Sequence, residues 1–279
     1  SEVLTVSYFD DTWSPIDILN VRDAGGLGIE GIGVLAENRD GQQAIEVRTA
    51  LTGALVNQVL YFNDVWRASY AVDLGEFNGN GYSEVAVLAT NNAGKHAVET
   101  RDALSGKQIS RYFFLGPTST MKGLAQSVDV DGSGKPELIV LGNKEADNST
   151  ANTAQVKDVR TDALISKPGT FAPPFVGFAL RSMEDVDGNT SPEMVIGAFD
   201  DEGNVTRVQV RDVLNGTLTL NTGMLSAAFD PKDLEILEDV SGNGIHELVA
   251  AGLDPNTLAI RVQTRDGQSG ALLLNINIT

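Results

Sequence analysis

The chain has 279 residues, of which 42% are apolar, 20 are basic and 38 are acidic, so its formal net charge is −18. This charge repels nucleic-acid phosphates and anionic lipid heads, and no apolar run approaches the roughly 18 residues of a membrane helix, so we expect neither nucleic-acid binding nor membrane insertion. The absence of cysteine excludes disulfides and thiol chemistry.

A glycine-rich acidic phrase recurs along the chain. A degraded copy, DAGGLGIEGI, begins at Asp23, and fuller copies follow as EFNGNGYSEV from Glu76, DVDGSGKPEL from Asp129, DVDGNTSPEM from Asp185 and DVSGNGIHEL from Asp239. Successive copies begin 53 to 56 residues apart. A fixed period of this length indicates a repeat architecture.

Each repeat contains four strand signals. An apolar stretch precedes the acidic phrase, an apolar run follows it, an alternating stretch then ends at a recurrent arginine, and a last run follows a turn that contains glycine. Alternation and Gly/Asn/Asp punctuation predict strands. Four antiparallel strands in each repeat of about 50 residues predict an all-β protein, a β-propeller of four-stranded blades.

The pattern also predicts the repeat boundaries within a single domain, 1–279. The predicted repeat units are approximately 16–62, 69–115, 122–171, 178–225 and 232–279, and residues 1–15 are predicted to form an extra outer strand and a link. Because the chain opens on Ser1 and shows no signal peptide, we expect it to be a mature or excised piece of a longer protein.

The units resemble FG-GAP, or VCBS-type, repeats, which form the blades of integrin α-subunit heads and of many bacterial secreted proteins. The family pattern is an Asp-x-Asp/Asn-x-Asp-Gly-x-x-Asp loop before an apolar strand, and residues 185–199, DVDGNTSPEMVIGAF, match it most closely. The resemblance covers nearly the whole chain. It implies a secreted, extracellular or cell-surface protein with neighbouring domains. The chain would supply five blades, or else part of a six- or seven-bladed propeller.

The resemblance also implies calcium as a cofactor. In the family, places one, three, five and nine of the loop supply side-chain oxygens to Ca²⁺ and place seven supplies a backbone carbonyl, which suits a cation that prefers hard oxygen ligands. The implied sets are Asp129, Asp131, Ser133, Lys135 and Glu137; Asp185, Asp187, Asn189, Ser191 and Glu193; Glu76, Asn78, Asn80, Tyr82 and Glu84; and Asp239, Ser241, Asn243, Ile245 and Glu247. The copy at Asp23 lacks the other ligands, so no metal is expected there.

The loops depart from the family pattern, which leaves a metal-free alternative open. Place five is Asn or Ser and place nine is Glu, where the family prefers Asp, so fewer carboxylates are available and binding is expected to be weaker. In the alternative, Asn and Asp side chains cap the turn and each Glu pairs with a recurrent arginine across a hairpin. The pairs would be Glu84 with Arg101, Glu137 with Arg160, Glu193 with Arg211, and Glu247 with Arg265.

Signals for catalysis are sparse, and no catalytic residue is predicted. The two histidines, His96 and His246, are isolated and are expected to be exposed in loops. Trp13, Trp66 and Phe175 lie in links between repeats, where they are candidates for ligand binding or for packing between blades. The sequence therefore favours a non-catalytic interaction or adhesion module that binds protein or polysaccharide. The alternative is a polysaccharide-active enzyme with its site in the central depression of the propeller.

Overall fold

The computed structural model describes residues 5–24, 26, 28–63, 65–146, 149–200, 202 and 205–278. These residues form twenty β-strands. Within these ranges no helix is long and apolar enough to cross a membrane. The strands make five four-stranded antiparallel sheets, each with its strands hydrogen-bonded in chain order. The predicted all-β class and the five four-stranded blades of a β-propeller are therefore confirmed.

The first of two compact units holds blades 1 and 2. It comprises Ser1–Pro117 with Val159–Asp162. Blade 1 consists of β1 (Trp13–Val21), β2 (Gly31–Asn38), β3 (Gln43–Thr49) and β4 (Leu55–Tyr61). Blade 2 consists of β5 (Trp66–Gly75), β6 (Glu84–Asn91), β7 (His96–Asp102) and β8 (Gln108–Phe114).

The second unit holds blades 3, 4 and 5. It comprises Thr118–Asp158 with Ala163–Thr279. Blade 3 consists of β9 (Ser119–Ser127), β10 (Glu137–Ala146), β11 (Ser149–Asp158) and β12 (Leu164–Ser166). Blade 4 consists of β13 (Val176–Met183), β14 (Glu193–Asp200), β15 (Val205–Asp212) and β16 (Leu218–Met224). Blade 5 consists of β17 (Asp230–Leu237), β18 (Glu247–Leu253), β19 (Ile260–Asp266) and β20 (Leu272–Ile278).

The core of each unit lies between consecutive blades. In the first unit Leu35 and Ile45 of blade 1 belong to the same buried cluster as Val85 of blade 2. In the second unit Ile139 of blade 3 clusters with Ile196 of blade 4. The second strands of blades 2 and 4, β6 and β14, are almost continuous apolar runs, as expected of strands that are covered on both faces.

The first strands begin two or three residues before the predicted units. They start at Trp13, Trp66, Ser119, Val176 and Asp230. Two of the predicted boundaries, 16 and 232, come directly after a proline, a residue that removes a donor from a strand ladder. The structure accommodates both prolines at register shifts, between Pro15 and Asp17 in β1 and between Pro231 and Asp233 in β17, so each strand continues through its proline.

Residues 5–12 form no strand, so the described part of 1–15 does not contain the predicted extra outer strand. These residues nevertheless pack on blade 1. The guanidinium of Arg48 lies 5.6 Å from the centre of the Tyr8 ring, and the N–H of Phe9 donates to the Glu46 carboxylate at 3.1 Å.

The end of β4 makes the matching contact with blade 2. The guanidinium of Arg101 lies 5.7 Å from the centre of the Tyr61 ring. The residue after each tyrosine has a left-handed backbone, with φ of 53° at Phe9 and 52° at Phe62. Tyr8 and Phe9 therefore contact blade 1 in the same way that Tyr61 and Phe62, at the end of β4, contact blade 2. Unlike β4, they are not paired in a sheet.

A close approach of strands in the second unit requires glycine at position 123. A Cβ there would lie 2.5 Å from the Cβ of Leu180 in β13. We expect Gly123→Ala to lower the free energy of unfolding by about 1 to 3 kcal/mol, because strands β9 and β13 would have to separate. Chemical denaturation checks this. Gly116→Ala is the control, because a Cβ at position 116 meets nothing within 4 Å, and equal destabilisation by both variants would contradict the expectation.

Candidate metal centres

Four pairs of buried carboxylates lie beneath the acidic loops. The loops of blades 2 to 5 (76–84, 129–137, 185–193 and 239–247) are called loops 2 to 5. The Glu at place nine begins the second strand and stands opposite the Asp that ends the third strand. The pairs are Glu84 with Asp102, Glu137 with Asp158, Glu193 with Asp212, and Glu247 with Asp266. All of these side chains are buried. Opposed like charges and burial both destabilise a sheet, so each pair needs compensating groups.

Blade 1 lacks both members of this pair. At the matching register position Gly31 stands opposite Thr49. A Cβ at Gly31 would lie 2.3 Å from the Cβ of Ala24, so no glutamate fits there. Asp23 remains from the loop, and one of its carboxylate oxygens accepts the N–H of Gly28 at 2.5 Å. The buried Glu and Asp are therefore present together in blades 2 to 5 and absent together from blade 1.

Backbone N–H groups hold the acidic residue at place one. In loop 3, Asp129 Oδ1 accepts from Gly132 at 2.8 Å and from Ser133 at 3.0 Å, and Oδ2 accepts from Gly134 at 2.7 Å. Asp185 and Asp239 repeat this arrangement in loops 4 and 5. These are the Asx-type bonds of tight turns.

The same hydrogen bonds lower the pKa of the carboxyl group at place one in loops 4 and 5. The N–H of Gly244 is the main cause of a lowered pKa at Asp239. At Asp185 desolvation raises the pKa, but the backbone N–H groups of the loop outweigh it, and the pKa is lowered. Both carboxylates therefore stay ionised near neutral pH and keep lone pairs that can still bind a cation.

The side chain at place five connects each loop to the buried aspartate below it. Ser133 Oγ donates to Asp158 Oδ2 at 2.9 Å, and Asn189 Nδ2 donates to Asp212 Oδ2 at 2.8 Å. The Asn side chains at place five in loops 2 and 5 donate to Asp102 and Asp266. These four aspartates were absent from the predicted sites. The recurrent Arg-Asp dipeptide, at 101–102, 211–212 and 265–266, is the signal that marks three of them.

Three carboxylates converge in each of loops 3 and 4. In both groups one oxygen from each residue lies within 4.8 Å of the others. The groups are Asp129, Asp131 and Glu137, and Asp185, Asp187 and Glu193. Carboxylate oxygens are the ligands that Ca²⁺ prefers. The structure therefore brings together the side chains that the sequence placed at places one, three and nine of these two loops.

Loop 4 has an unsatisfied acceptor that fits a cation. Glu193 Oε2 accepts the N–H of Val186 at 3.0 Å, whereas Oε1 is buried and has no hydrogen-bond partner among the described residues. In loop 3 both oxygens of Glu137 accept from the single N–H of Val130, at 3.2 and 3.1 Å. A buried acceptor without a donor costs about 1 to 3 kcal/mol, which a bound cation would offset.

Loops 2 and 5 satisfy their glutamates with protein donors instead. In loop 2 the Asn78 amide donates to the carboxylates of Glu84 and Asp102. In loop 5 the N–H of Ser241 donates to Glu247 Oε1 at 3.0 Å. Place three carries no carboxylate in either loop, so among the described residues only loops 3 and 4 form a group of three. The calcium sets predicted for loops 2 and 5 are therefore not assembled as carboxylate clusters.

Burial raises the pKa of three of the place-nine glutamates to about 7. Desolvation is the largest cause at Glu84, Glu137 and Glu193. Backbone N–H groups oppose the shift, and neighbouring carboxylates of the loop or of the third strand add to it. These glutamates are therefore partly protonated near pH 7, where a cation would favour their ionised form.

Three of the four predicted glutamate–arginine pairs are wrong, and the pair of Glu137 with Arg160 stays a prediction. Arg101 stands opposite Val85, one residue past Glu84. Because opposed residues share a face and successive residues alternate, Glu84 and Arg101 point to opposite faces of the sheet. The same offset separates the predicted pairs of blades 4 and 5, where Arg211 stands opposite Met194 and Arg265 opposite Leu248. In blade 3, Glu137 stands opposite Asp158, and Arg160 lies beyond the end of β11.

The recurrent arginine instead braces the turn between the third and fourth strands. In four blades its Nη1 donates to the carbonyl of the turn glycine. The pairs are Arg48 with Gly53, Arg101 with Gly106, Arg211 with Gly216, and Arg265 with Gly270. Its Nε donates to an acidic or amide side chain two residues earlier on the same strand face. The arginine is therefore a structural residue of the turn.

The residues at place seven lie beside the loops. Ser191 is buried, and Lys135, Tyr82 and Ile245 are half-buried. The Tyr82 ring lies 3.1 Å from the position of a Cβ on Gly26. The role of their carbonyls as ligands stays a prediction.

Trp13, Trp66 and Phe175, which the sequence assigned to links, are packed against other rings, and the two tryptophans begin strands β1 and β5. Trp66 is buried and stacks on Phe62 with ring centres 5.0 Å apart, and its role in ligand binding stays a prediction. Trp13, which is half-buried, stacks on Phe9 at 4.7 Å. Phe175 is half-buried and its ring centre lies 5.3 Å from that of a neighbouring phenylalanine. Packing, the alternative interpretation, accounts for these contacts.

The two histidines differ in environment. His96 is buried in β7, with Nδ1 2.8 Å from Thr90 Oγ1, so the prediction that it is exposed in a loop is wrong. Residues on both faces of β7 are buried from His96 to Thr100, so the strand is covered on both sides. His246, at place eight of loop 5, is half-buried and lines a pocket that is described below.

Comparison with known proteins identifies the fold. No protein-family model and no curated protein matches the chain. Among solved structures, the Dos1 propeller is 15% identical with a TM-score of 0.54, over 95% of this chain and 62% of that one. Bacillus licheniformis rhamnogalacturonan lyase PL11 is 15% identical with a TM-score of 0.53, over 95% and 51%. AofleA from Arthrobotrys oligospora is 11% identical with a TM-score of 0.57, over 98% and 77%.

These similarities concern architecture. The chain spans about three fifths of the Dos1 propeller and about half of the lyase. At such low identity a common fold carries no common activity, since propellers serve both enzymes and other proteins. The comparisons therefore place this chain among the β-propellers.

Proposed function

We propose that this protein is a calcium-stabilised, non-catalytic interaction or adhesion module with blades of the FG-GAP or VCBS type. It would work outside the cell or at the cell surface, beside neighbouring domains of a longer chain, and bind a protein or polysaccharide ligand. The observation that carries the proposal is the convergence of three carboxylates in each of loops 3 and 4, above a further buried aspartate.

The residues that would hold the ion are the sets predicted for the two loops. They are Asp129, Asp131, Ser133 and Glu137 with the Lys135 carbonyl, and Asp185, Asp187, Asn189 and Glu193 with the Ser191 carbonyl. Calcium, when bound, supplies the positive charge that offsets repulsion among these carboxylates. Three anionic ligands in each loop suit the weak affinity of extracellular modules, about 0.1 to 1 mM, rather than that of a cytosolic buffer.

The place of these groups in the fold favours stabilisation over catalysis. The glutamates and aspartates are buried at strand ends, and their oxygens accept hydrogen bonds from their own loops. A general acid or base needs to reach the proton it transfers in a bound substrate. We therefore assign the carboxylates to fixing the end of each blade.

Calcium is expected to raise the melting temperature. At about 10 mM Ca²⁺, a site with a dissociation constant of about 1 mM adds about 1.4 kcal/mol to the free energy of unfolding. Two such sites would raise the melting temperature by about 5 °C in a protein of this size. Differential scanning calorimetry of chelator-treated protein, with and without Ca²⁺, measures the shift.

Sodium chloride at equal ionic strength controls for screening of the net charge of −18. A melting temperature that responds equally to sodium chloride and to Ca²⁺ would remove the metal part of the proposal. The interaction part is tested separately with protein and glycan arrays, in Ca²⁺ and in chelator. Specific retention without turnover supports a binding module, whereas release of a shortened glycan would establish the enzyme alternative.

A further inference from the structure

A pocket of about 410 Å³ lies within the second unit, among blades 3, 4 and 5. Its apolar part is formed by Met183, Pro192 and Ile236, near the start of loop 4 and the end of β17. Its volume is that of a pocket for a small ligand. It adjoins the candidate metal centre of loop 4, because Asp185 also lines it, but its surface is largely apolar.

One residue of the pocket is held in a strained backbone conformation. Thr190, at place six of loop 4, has φ of +72°. The same place is glycine in the other three loops, at Gly81, Gly134 and Gly244, with φ of +84°, +75° and +84°. A β-branched residue in the left-handed region is an outlier that costs stability.

Packing does not account for the threonine. A Cβ at any of the three equivalent glycines would meet nothing within 4 Å, and Thr190 is itself exposed. Its side chain lines the pocket. Strained residues concentrate at ligand sites, where the side chain is retained for what it binds. The strain therefore indicates a binding role for this pocket.

The polar groups of the pocket select the chemistry of its ligand. Ser182 and Thr190 offer hydroxyls, Gln126 an amide and His246 an imidazole, and each of these groups can donate and accept hydrogen bonds. Among the described residues the lining contains no lysine or arginine but does contain the acidic residues Glu184 and Asp185, which disfavour anions. Sugar hydroxyls also donate and accept, and the C–H face of a sugar ring suits the apolar residues.

We propose that this pocket binds an uncharged sugar, as the end or a short stretch of a neutral polysaccharide. The proposal deepens the interaction function proposed above and rests on it. It adds the site and the chemical class of the ligand. Thr190 and His246 are assigned as the residues that orient sugar hydroxyls, and Met183 and Ile236 as the surface on which the ring lies.

Histidine resonances give a direct test, because the chain contains only two histidines. Protein labelled with ¹³C-histidine is titrated with cellobiose, lactose and mannobiose, in Ca²⁺ and in chelator. We expect the His246 ring signals to move with at least one disaccharide and those of the buried His96 to stay still. If no disaccharide moves His246, or if benzylamine does so and the disaccharides do not, the proposal is overturned.

A pair of matched variants separates binding from stability. Thr190→Gly is expected to raise the melting temperature by roughly 2 °C, because it relieves the left-handed threonine, and to weaken sugar binding about tenfold. Gly81→Thr places the same strain in loop 2, none of whose residues lines the pocket, and is expected to lower the melting temperature without changing sugar affinity. Unchanged sugar affinity in Thr190→Gly would overturn the assignment.

The test stands apart from the calcium test. If the melting temperature does not respond to Ca²⁺ but the His246 signals respond to a disaccharide, the sugar-binding proposal stands and the calcium proposal is rejected. If the melting temperature responds to Ca²⁺ but the His246 signals respond to no disaccharide, the calcium proposal stands and the sugar-binding proposal is rejected.

Discussion

Replacing Glu137 and Glu193 together by glutamine is expected to abolish the response of the melting temperature to Ca²⁺ and to stabilise the metal-free protein. Glutamine keeps an oxygen that can accept the N–H of Val130 or Val186. It removes a buried negative charge opposite Asp158 or Asp212, and its NH₂ can donate to that aspartate. We expect a gain of about 1 kcal/mol or more per site in chelator at about pH 7.5, measured by chemical denaturation.

Glu247→Gln is the matched control. Glu247 holds the same register position in blade 5, where the loop lacks a carboxylate at place three and already satisfies both glutamate oxygens. This variant should keep the full calcium response of the parent protein. A double variant at positions 137 and 193 that still gains stability from Ca²⁺ would show that the ion binds elsewhere.

The five blades could be predicted because the sequence repeats its own pattern. Apolar runs, acidic phrases and glycine turns return about every 53 residues, and each signal supports the others. The residues at which the first strands begin were less predictable. A proline argues against a strand, yet Pro15 and Pro231 each lie next to a register shift, a position at which strands tolerate proline.

The candidate site shows how far a one-residue error in register reaches. The sequence places Glu84 and Arg101 at the same end of a hairpin, which is correct, but the choice of face depends on whether Arg101 or Asp102 is the opposed residue. With Asp102 opposed, the glutamate faces a second carboxylate and the arginine faces away. The pair at this position is then two carboxylates and not an ion pair. Their repulsion has to be relieved by a proton, by an amide donor or by a cation.

The same pairing explains why the four loops differ in what they can bind. In loop 2 the side-chain amide of Asn78 at place three donates to the buried glutamate, and in loop 5 the backbone N–H of Ser241 does so. Where place three is Asp131 or Asp187, a third carboxylate joins the group instead. The residue type at place three is visible in the sequence. Its consequence is not, because it depends on the aspartate that the fold brings from the third strand.

In the absence of metal, the free energy of unfolding is expected to fall as the pH rises from about 5 to about 7.5. The pKa of Glu84, Glu137 and Glu193 is raised to about 7 in the folded protein, above the ordinary value of 4.5. In this window the folded protein holds protons that the unfolded chain has lost, so stability decreases with pH. The cost is on the order of 1 kcal/mol for each pKa unit and each group. Chemical denaturation of metal-free protein at several pH values measures it.

Calcium should remove most of this pH dependence but not all of it. The ion favours the ionised form of Glu137 and Glu193. Loop 2 has an amide, Asn78, at place three and is expected to bind no ion, so Glu84 still takes up a proton in the same pH range. The slope that remains in Ca²⁺ should therefore disappear in Glu84→Gln. Metal-free protein that becomes more stable between pH 5 and 7.5 would contradict the expectation, because it would mean that the buried glutamates are ionised at lower pH than their burial allows.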